Sequence, residues 1–563
     1  MAVTPPRRNG ARILVDQLIA QEVGHVFCVP GESFLAVLDA LHDSSIALTV
    51  CRQEGGAAMM AEAQGKLTGR PGICFVTRGP GATNAAAGVH IAQQDSTPLI
   101  LFVGQVARSM RWREAFQELD YRAVFGSMAK WVVEIDDPGR IPELVSRAFY
   151  TAMSGRPGPV VVALPQDMLS EETAVADALP CTVPESHPGN ADMRMLQEKL
   201  AQASRPLMVL GGSRWSAGAV ANIRTFAERF ALPVACSFRR QMLFDHDHTG
   251  YAGDIGIGIN PKLAERVRQA DLLLLIGARF SEIPSQGYEL VGIPIPAQTL
   301  VHVHADAGEL GKLYQPELAI QATPDAFAAE LLRLNAPIAC PWLEWARATR
   351  QDFLAWSDPA PIRLPGQLQM SQVMQALAAT LPADTIVCNG AGNFASWVHR
   401  FWRFRHYGTQ LAPTSGSMGY GVPAAIGAKR LYPDRCVVAF AGDGDFMMHG
   451  QELATSVQYE LPIIVILLDN GMFGTIRMHQ EREYPGRVIG STLCNPDFAA
   501  LARAYGAFGE RVETTAEFAP ALQRALASGQ PAILHCLLDP EAITPTTTLS
   551  SLRAAGLQGL PHN

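Results

Sequence analysis

The sequence has no apolar run long enough to span a membrane. The basic residues near its start, Arg7, Arg8 and Arg12, are not followed by the apolar core of a signal peptide. Acidic residues outnumber basic ones, with 53 Asp and Glu against 45 Lys and Arg, so the net charge is −8. This balance argues against a nucleic-acid-binding protein. These absences predict a cytoplasmic protein that binds neither membranes nor nucleic acids.

Paired cysteines are missing as well. The ten cysteines stand singly, without a Cys-x-x-Cys spacing, so neither a zinc site nor a disulfide framework is indicated. Several of them, Cys74, Cys388, Cys436 and Cys536, lie in apolar runs, which predicts buried, reduced thiols. Charged residues are scarce at 17% against 48% hydrophobic residues, a composition typical of a folded α/β protein. The 563 residues are enough for about three or four domains.

The most informative stretch joins two apolar runs, 436–441 and 462–468, each of which predicts a buried parallel strand. The first run leads into Gly-Asp-Gly at 442–444, and the second leads into Asp-Asn-Gly at 469–471. The carboxyl ends of parallel strands meet at one edge of a sheet, so we expect Asp443 and Asn470 to face each other there. A carboxylate, an amide oxygen and a nearby backbone carbonyl suit Mg²⁺, which usually keeps phosphate oxygens in its shell. The glycines allow the backbone to approach a diphosphate.

Strands and helices alternate along the rest of the chain. This alternation predicts an α/β fold built from doubly wound parallel sheets with helices on both faces. Stretches at 170–189 and 335–367 are rich in polar residues and predict linkers. The sequence therefore predicts three doubly wound domains.

From Gly-Asp-Gly at 442–444 to Asn470, the spacing resembles the signature of thiamine diphosphate (ThDP) enzymes. Over nearly its whole length the chain is similar to the acetolactate synthase branch of that superfamily. The stretches that carry this similarity are 79–84 (Gly-Pro-Gly-Ala-Thr-Asn), 95–99 (Asp-Ser-Thr-Pro-Leu), 104–106 (Gly-Gln-Val), 115–118 (Ala-Phe-Gln-Glu) and 155–160 (Gly-Arg-Pro-Gly-Pro-Val). The resemblance implies a pyrimidine-binding domain over 1–180, a central domain over 190–345, a diphosphate- and Mg-binding domain over 366–545 and a tail over 546–563.

The resemblance also implies roles for single residues. Glu54 would protonate the pyrimidine ring of the cofactor, and Met418 would hold the cofactor in its bent form. Asp443, Asn470 and the backbone oxygen of Met472 would bind Mg²⁺. The other residues expected around the cofactor are Gly392, Asn393, Gly416, Gly442, Gly444, Asp445, Phe473 and Gly474.

Substrate contacts are predicted both where the chain matches the family pattern and where it departs from it. Phe116 and Gln117 match the active-site mouth, and Gln117 is also a predicted catalytic residue. Glu32 and Arg78 stand where the family carries small residues, and Arg78 is expected to pair with Glu32 or to hold a substrate carboxylate. His479 lies near the position of the Trp that selects the acceptor in biosynthetic synthases. A solvated loop is the alternative for His479.

The expected cofactors are ThDP and Mg²⁺. The central domain departs from the flavin pattern of the synthases at 237–240 and 277–282, which puts FAD in doubt and leaves open whether another nucleotide binds there. In this superfamily the two halves of an active site come from different subunits, so the resemblance implies a homodimer or homotetramer.

The predicted activity is a ThDP- and Mg²⁺-dependent decarboxylation of a pyruvate-like 2-oxo acid, followed by carboligation to a second carbonyl. A 2-oxo-acid decarboxylase or 2-hydroxy-ketone lyase is the alternative among enzymes. A ThDP-binding regulatory relative is the alternative outside enzymes. A dinucleotide-dependent dehydrogenase is disfavoured because no convincing Gly-x-Gly-x-x-Gly follows a predicted strand.

Overall fold

The computed structural model describes residues 5–559. The chain divides into two compact units. The first unit takes in the chain up to Pro184 together with Pro423–Pro433 and His449–Leu461. The second unit takes in Glu185–Val422, Asp434–Met448 and the chain from Pro462 onward.

The first third of the chain contains one large parallel sheet. The six strands of this sheet are β2 (His25–Cys28), β3 (Ala47–Val50), β4 (Gly72–Val76), β5 (Leu99–Gln105), β6 (Trp131–Glu134) and β7 (Pro159–Pro165), and a separate pair consists of β1 (Arg7–Asn9) and β8 (Glu172–Ala174). Its helices are α1 (Gly10–Ala20), α2 (Leu35–His42), α3 (Glu54–Thr68), α4 (Gly79–Asp95), α5 (Tyr121–Phe125), α6 (Ile141–Met153) and α7 (Gln166–Ser170). Six strands pair in the order β3-β2-β4-β5-β7-β6, and β1 pairs antiparallel with β8.

The middle third forms a second six-stranded parallel sheet in the order β11-β10-β9-β12-β13-β14. Its strands are β9 (Pro206–Leu210), β10 (Val234–Ser237), β11 (Tyr251–Ile255), β12 (Leu272–Ile276), β13 (Thr299–His304) and β14 (Leu318–Gln321). Its helices are α8 (Asn190–Gln202), α9 (Ala217–Phe230), α10 (Pro261–Gln269), α11 (Pro324–Leu331) and α12 (Leu343–Trp356).

The last third forms a third six-stranded parallel sheet in the order β16-β15-β17-β18-β20-β19. Its strands are β15 (Ile386–Asn389), β16 (Gln410–Leu411), β17 (Val437–Gly442), β18 (Ile464–Asp469), β19 (Phe508–Val512) and β20 (Ala532–Leu537). Its helices are α13 (Met370–Thr380), α14 (Ala395–Phe401), α15 (Gly421–Leu431), α16 (Asp443–His449), α17 (Leu453–Gln458), α18 (Gly474–Glu483), α19 (Phe498–Ala504), α20 (Thr515–Ser528) and α21 (Leu549–Leu557). The three parallel sheets interleaved with helices confirm the predicted fold class.

Helix α3 shows why small residues are needed beside the first sheet. A Cβ added at Gly65 would lie 2.2 Å from the carbonyl oxygen of Pro98, and one added at Gly88 on α4 would lie 2.4 Å from the Cβ of Ala58. Real side chains cannot approach that closely, so glycine at these positions lets α3 pack directly against α4 and the β4–β5 edge. The first residue of this closely packed helix is Glu54.

The stretch 335–367, predicted as a linker, instead contains the 14-residue helix α12. Trp345 and Phe353 on this helix are buried, and the Trp345 indole donates a hydrogen bond to the carbonyl of Pro206 at 3.0 Å. Charged residues between these positions obscured the apolar stripe in the sequence. The predicted tail over 546–563 contains α21, and its last four residues lie outside the described part of the chain.

All ten cysteines are free thiols, and seven of them are buried, including Cys74, Cys388 and Cys536. Cys436 is only half-buried, because it lies just before the first residue of β17. Within residues 5–559, no helix combines the length and the apolar character needed to cross a bilayer.

Candidate active site

Apart from Glu54, the predicted cofactor residues belong to the second unit. They lie at one edge of the sheet β16-β15-β17-β18-β20-β19. Strands β17 and β18 are parallel neighbours, with Gly442 opposite Leu468 in the register. Asp443 follows β17 directly, and Asn470 follows β18. Strand order reverses between β15 and β17, and ligands of doubly wound sheets bind outside the carboxyl ends of strands at such a switch point.

Three N–H groups orient the carboxylate of Asp443. Its Oδ1 accepts a hydrogen bond from the backbone N–H of Gly444 at 2.9 Å. Its Oδ2 accepts hydrogen bonds from the backbone N–H of Met472 at 3.2 Å and from Nδ2 of Asn495 at 2.7 Å. Burial raises the pKa of Asp443 to about 6, against the lowering effect of the Asn495 and Gly444 hydrogen bonds. The carboxylate is therefore fixed between the ends of two strands.

Asn495 is a site residue that the sequence analysis missed. Its Nδ2 also donates to Oδ1 of Asp469 at 2.7 Å, so one amide bridges two buried carboxylates. Asp469 in turn accepts the N–H of Gly471 at 3.0 Å and lies 2.9 Å from Nε2 of His535. Burial alone would raise the pKa of Asp469, but the His535 and Gly471 contacts lower it overall. No spacing signal connects Asn495 to this network, because it lies in the loop before α19.

The predicted magnesium ligands are all oxygen donors. In the described part of the chain, no three His, Cys, Asp or Glu side chains are grouped to hold a metal ion. The predicted ligands differ from such a group because only one of them is a carboxylate, that of Asp443. The other two are the side-chain amide of Asn470 and the backbone carbonyl of Met472. A Cβ added at Gly474 would lie 3.2 Å from Nδ2 of Asn470, which places this amide at the start of α18. Such a donor set fits a hard cation such as Mg²⁺.

Asp445 has a structural role that the sequence analysis did not foresee, because only its backbone N–H was assigned to the cofactor. Its side chain is 3% exposed, and its Oδ1 accepts the backbone N–H of Ala391 at 3.0 Å and of Gly419 at 2.9 Å. Burial raises the pKa of Asp445 to about 7 although both hydrogen bonds lower it. One carboxylate oxygen thus joins the loops that follow β15, β16 and β17.

Aromatic rings pack directly against the backbone of two glycines at this edge, where any side chain would clash with them. A Cβ at Gly444 would lie 2.5 Å from the Phe473 ring, and one at Gly442 would lie 2.9 Å from the Phe394 ring. Gly442 is the last residue of β17. The predicted cofactor residues that lie in loops or in the first turn of a helix at the carboxyl ends of β15–β18 are Gly392, Asn393, Gly416, Met418, Asp443, Gly444, Asp445, Asn470, Met472, Phe473 and Gly474. This glycine-lined edge fits a diphosphate.

Two of the residues that depart from the flavin pattern, Arg239 and Arg240, donate hydrogen bonds to backbone carbonyls of the second unit. Arg239 donates to the carbonyl of Gly390 at 2.9 Å and also to that of Pro413. Arg240 donates to the carbonyl of Gly212 at 2.8 Å. Arg239 thereby ties the loop after β10 to the loops that follow β15 and β16.

The first unit contains Glu54 at the start of α3. Its Oε2 accepts a hydrogen bond from Nδ2 of Asn84 at 3.0 Å. A Cβ added at Gly81 would lie 3.3 Å from its Oε1. The half-buried carboxylate therefore lies beside the first turn of α4, where the Gly-Pro-Gly-Ala-Thr-Asn stretch is located.

Glu452 holds the turn that precedes Glu54, and the sequence analysis missed it too. Its side chain is fully buried and accepts the backbone N–H groups of Arg52 at 3.1 Å and Gln53 at 2.9 Å. The Thr455 hydroxyl donates to it at 2.6 Å. Burial raises the pKa of Glu452 against these hydrogen bonds. The pairing spans about four hundred residues of sequence, so local pattern could not reveal it.

Four predicted substrate residues lie at one edge of the first sheet. Gln117 adopts a positive φ of 64°, and its carbonyl accepts the N–H of Gly79 at 3.0 Å. Phe116 is 76% exposed, and Arg78 approaches Glu32 at 4.0 Å. His479, by contrast, belongs to the second unit, where it lies on helix α18 and not in a loop.

Family models for thiamine pyrophosphate enzymes match the chain in three places. The N-terminal TPP binding domain matches residues 8–124, the central domain matches 193–331 and the C-terminal TPP binding domain matches 390–536. The chain belongs to the thiamine pyrophosphate (ThDP) enzyme family.

Among its relatives is the acetolactate synthase isozyme 2 large subunit of Escherichia coli (strain K12), 32% identical over 540 residues, covering 94% of this chain and 96% of that protein. The acetolactate synthase large subunit of Parasynechococcus marenigrum (strain WH8102) is 33% identical over 534 residues, covering 91% and 84%. The probable acetolactate synthase large subunit of Methanocaldococcus jannaschii is 30% identical over 553 residues, covering 95% and 93%. The chain is thus a ThDP-dependent enzyme with an acetolactate synthase-like function.

Replacing Asp445 tests its role in joining the loops. Asp445→Ala leaves the N–H groups of Ala391 and Gly419 buried and unpaired, so we expect the free energy of unfolding to fall by about 2–4 kcal/mol. Urea denaturation measures this loss. Asp445→Asn keeps an oxygen that can accept both hydrogen bonds and should lose less than half as much. Equal losses in both variants would show that the carboxylate acts by charge and not by its hydrogen bonds.

Asn495→Ala tests the bridge between Asp443 and Asp469. Without the amide, the two carboxylates lose the N–H donor that offsets their mutual repulsion, and Asp443 is held less firmly. We therefore expect the Mg²⁺-dependent affinity for ThDP to weaken by about tenfold or more. Quenching of intrinsic fluorescence during a ThDP titration at fixed Mg²⁺ measures this affinity. Asn190→Ala, at an exposed position in the same unit, is the matched control. An unchanged ThDP affinity in Asn495→Ala would remove the bridge from cofactor binding.

Proposed function

We propose that this enzyme uses ThDP and Mg²⁺ to decarboxylate a pyruvate-like 2-oxo acid and to join the remaining fragment to a second carbonyl compound. The observation that carries the proposal is the carboxylate of Asp443, held by hydrogen bonds at the carboxyl end of β17, next to the strand β18 that Asn470 follows. Similarity to acetolactate synthases over more than nine-tenths of the chain supports the choice of reaction.

The protein's part in this proposal is to hold and orient the cofactor. Bound ThDP supplies a carbon nucleophile and an electron sink. Asp443, Asn470 and the carbonyl of Met472 would hold Mg²⁺ against the diphosphate, and Met418 would support the bent cofactor. Glu54 would keep a proton at the pyrimidine ring. Asn84 orients Glu54 by its hydrogen bond at 3.0 Å.

We further propose that no flavin takes part. The carbonyls of Gly211 and Gly212, at the end of β9, accept hydrogen bonds from Trp215 and Arg240, both at 2.8 Å. Trp215 is 8% exposed and therefore fills space at the switch point of the second sheet, where a nucleotide would bind.

An assembly of at least two chains belongs to the same proposal, with the Glu54 half of the site on one chain and the Asp443 half on another. The relatives are named large subunits. A second, smaller subunit is therefore proposed as a partner.

Turnover of pyruvate tests the reaction class. The purified protein is incubated with ThDP, Mg²⁺ and pyruvate, and carbon dioxide and acetolactate are measured together. Both products are expected in equal amounts. Carbon dioxide with free aldehyde but no acetolactate would contradict carboligation and identify a decarboxylase. No carbon dioxide from pyruvate or from other 2-oxo acids would overturn the proposal.

Glu54→Gln removes the acid while keeping the shape of the side chain. We expect turnover to fall by about 100-fold or more, because a positioned acid–base group typically contributes that much. ThDP affinity should stay within threefold of the unmodified protein, since the diphosphate contacts are unchanged. The exposed Glu22→Gln is the control in the same unit. Full activity in Glu54→Gln would remove this residue from the mechanism.

Asp443→Ala removes the only carboxylate from the proposed metal set. We expect ThDP to be lost during gel filtration in the presence of Mg²⁺, whereas the unmodified protein should retain it. The exposed Asp434→Ala makes the same change elsewhere in the second unit and should behave like the unmodified protein. If Asp443→Ala retains ThDP normally, the metal assignment is wrong.

A further inference from the structure

The first sheet has a switch point of its own. Strand β2 pairs with β3 on one side and with β4 on the other, so the strand order reverses between β2 and β4. Ligands of doubly wound sheets bind in the crevice outside the carboxyl ends at such a point. The loop after β2 carries Glu32 and Ser33, and the loop after β4 carries Thr77 and Arg78. Glu32 and Arg78 bring charges to positions where the family carries small residues.

The two loops pack closely across this crevice. Oγ of Ser33 lies 2.9 Å from Oγ1 of Thr77, and a Cβ added at Gly31 would lie 2.5 Å from the Cβ of Thr77. A Cβ at Gly81 would lie 2.9 Å from Cγ2 of Thr77 and 3.3 Å from Oε1 of Glu54. The paired hydroxyl groups of Ser33 and Thr77 therefore join the two loops next to the carboxylate of Glu54.

Arg78 places a positive charge at this crevice. Its side chain is only 12% exposed, and its Nη1 donates a long hydrogen bond of 3.4 Å to the carbonyl of Phe116. Its buried Nε has no hydrogen-bond partner among the described residues. The side chain therefore keeps unused N–H donors in a partly desolvated position, where a charge-assisted hydrogen bond is strong.

Glu32 does not satisfy this charge. Its carboxylate oxygen is 4.0 Å from Nη2 of Arg78, and its side chain is 95% exposed. An ion pair of that length at the surface contributes little, because water screens the carboxylate. The guanidinium of Arg78 therefore remains available to a carboxylate that enters the crevice.

The proposed reaction involves two carboxylates with different fates. In the donor, the bond between the carbonyl carbon and the carboxylate breaks, and carbon dioxide leaves without the bonding electron pair. That pair forms the new bond to the carbonyl carbon of the acceptor, whose oxygen takes up a proton from solvent. No oxidant or reductant is needed.

A cation fixed on the donor carboxylate would stabilise the ground state of a group that must lose its charge, and it would slow the reaction. A carboxylate on the acceptor persists in the product, so a cation can bind it throughout. We infer that Arg78 binds the carboxylate of the acceptor, which makes 2-oxo acids better acceptors than neutral aldehydes. This specificity rests on the proposed function.

Competition between two acceptors tests the inference. The holoenzyme receives pyruvate as donor, with pyruvate and acetaldehyde as competing acceptors that yield acetolactate and acetoin. In Arg78→Ser we expect the ratio of acetolactate to acetoin to fall at least tenfold, through a higher KM for pyruvate as acceptor. Carbon dioxide release is followed at a saturating acetaldehyde concentration, where the fragment still finds an acceptor that carries no carboxylate, and it serves to detect any effect on the donor. Arg78→Lys keeps the charge without the planar fork and should lie in between.

Arg122→Ser is the matched control, because it removes an exposed arginine from helix α5 of the same unit. An unchanged product ratio in Arg78→Ser would overturn the inference while leaving the proposed function intact. A parallel fall in carbon dioxide release and in both products would also overturn it, since Arg78 would then act on the donor. No carbon dioxide from the unmodified protein would overturn the proposed function and the acceptor assignment together.

Discussion

Buried carboxylates that accept backbone N–H groups hold this enzyme's loops in place. Asp445 binds the loops that follow β15 and β16, Asp443 binds the turn after β18, and Glu452 binds the turn before Glu54. A carboxylate removed from water loses its hydration and needs hydrogen bonds in its place. A loop that moved away would leave a buried charge unpaired, so each carboxylate resists the movement of the loops it contacts.

This constraint explains how the candidate site can be rigid although it consists of glycine-rich loops. Glycine lets the backbone of these loops come close to a diphosphate, while the hydrogen bonds to Asp443 and Asp445 restrict the backbone freedom that glycine would otherwise bring. Asn495 adds a further link by joining Asp443 to Asp469. The groups proposed to hold the cofactor are thereby arranged before it binds, which lowers the entropy cost of binding.

The same fold surrounds a crevice whose charge is particular to this chain. Arg78 and Glu32 both stand at the switch point of the first sheet, yet their exposures differ greatly, at 12% and 95% of the side chain. Desolvation strengthens the interactions of Arg78, whereas water screens those of Glu32. The local electrostatics are therefore those of a cation, although the two formal charges cancel. The proposed specificity for carboxylate-bearing acceptors rests on this difference in burial.

The sequence by itself determined the α/β class, the strands that end at Asp443 and Asn470, and the family, because these depend on local apolar runs and on spacing. Only the tertiary structure decided which side chains support the site. Asn495 and Glu452 act on residues far away in the chain, and the side chain of Asp445 proved to bind loops where only its backbone had been assigned a role. Such pairings arise from the order of strands in a sheet, and that order is fixed by packing between segments with no local signal in common.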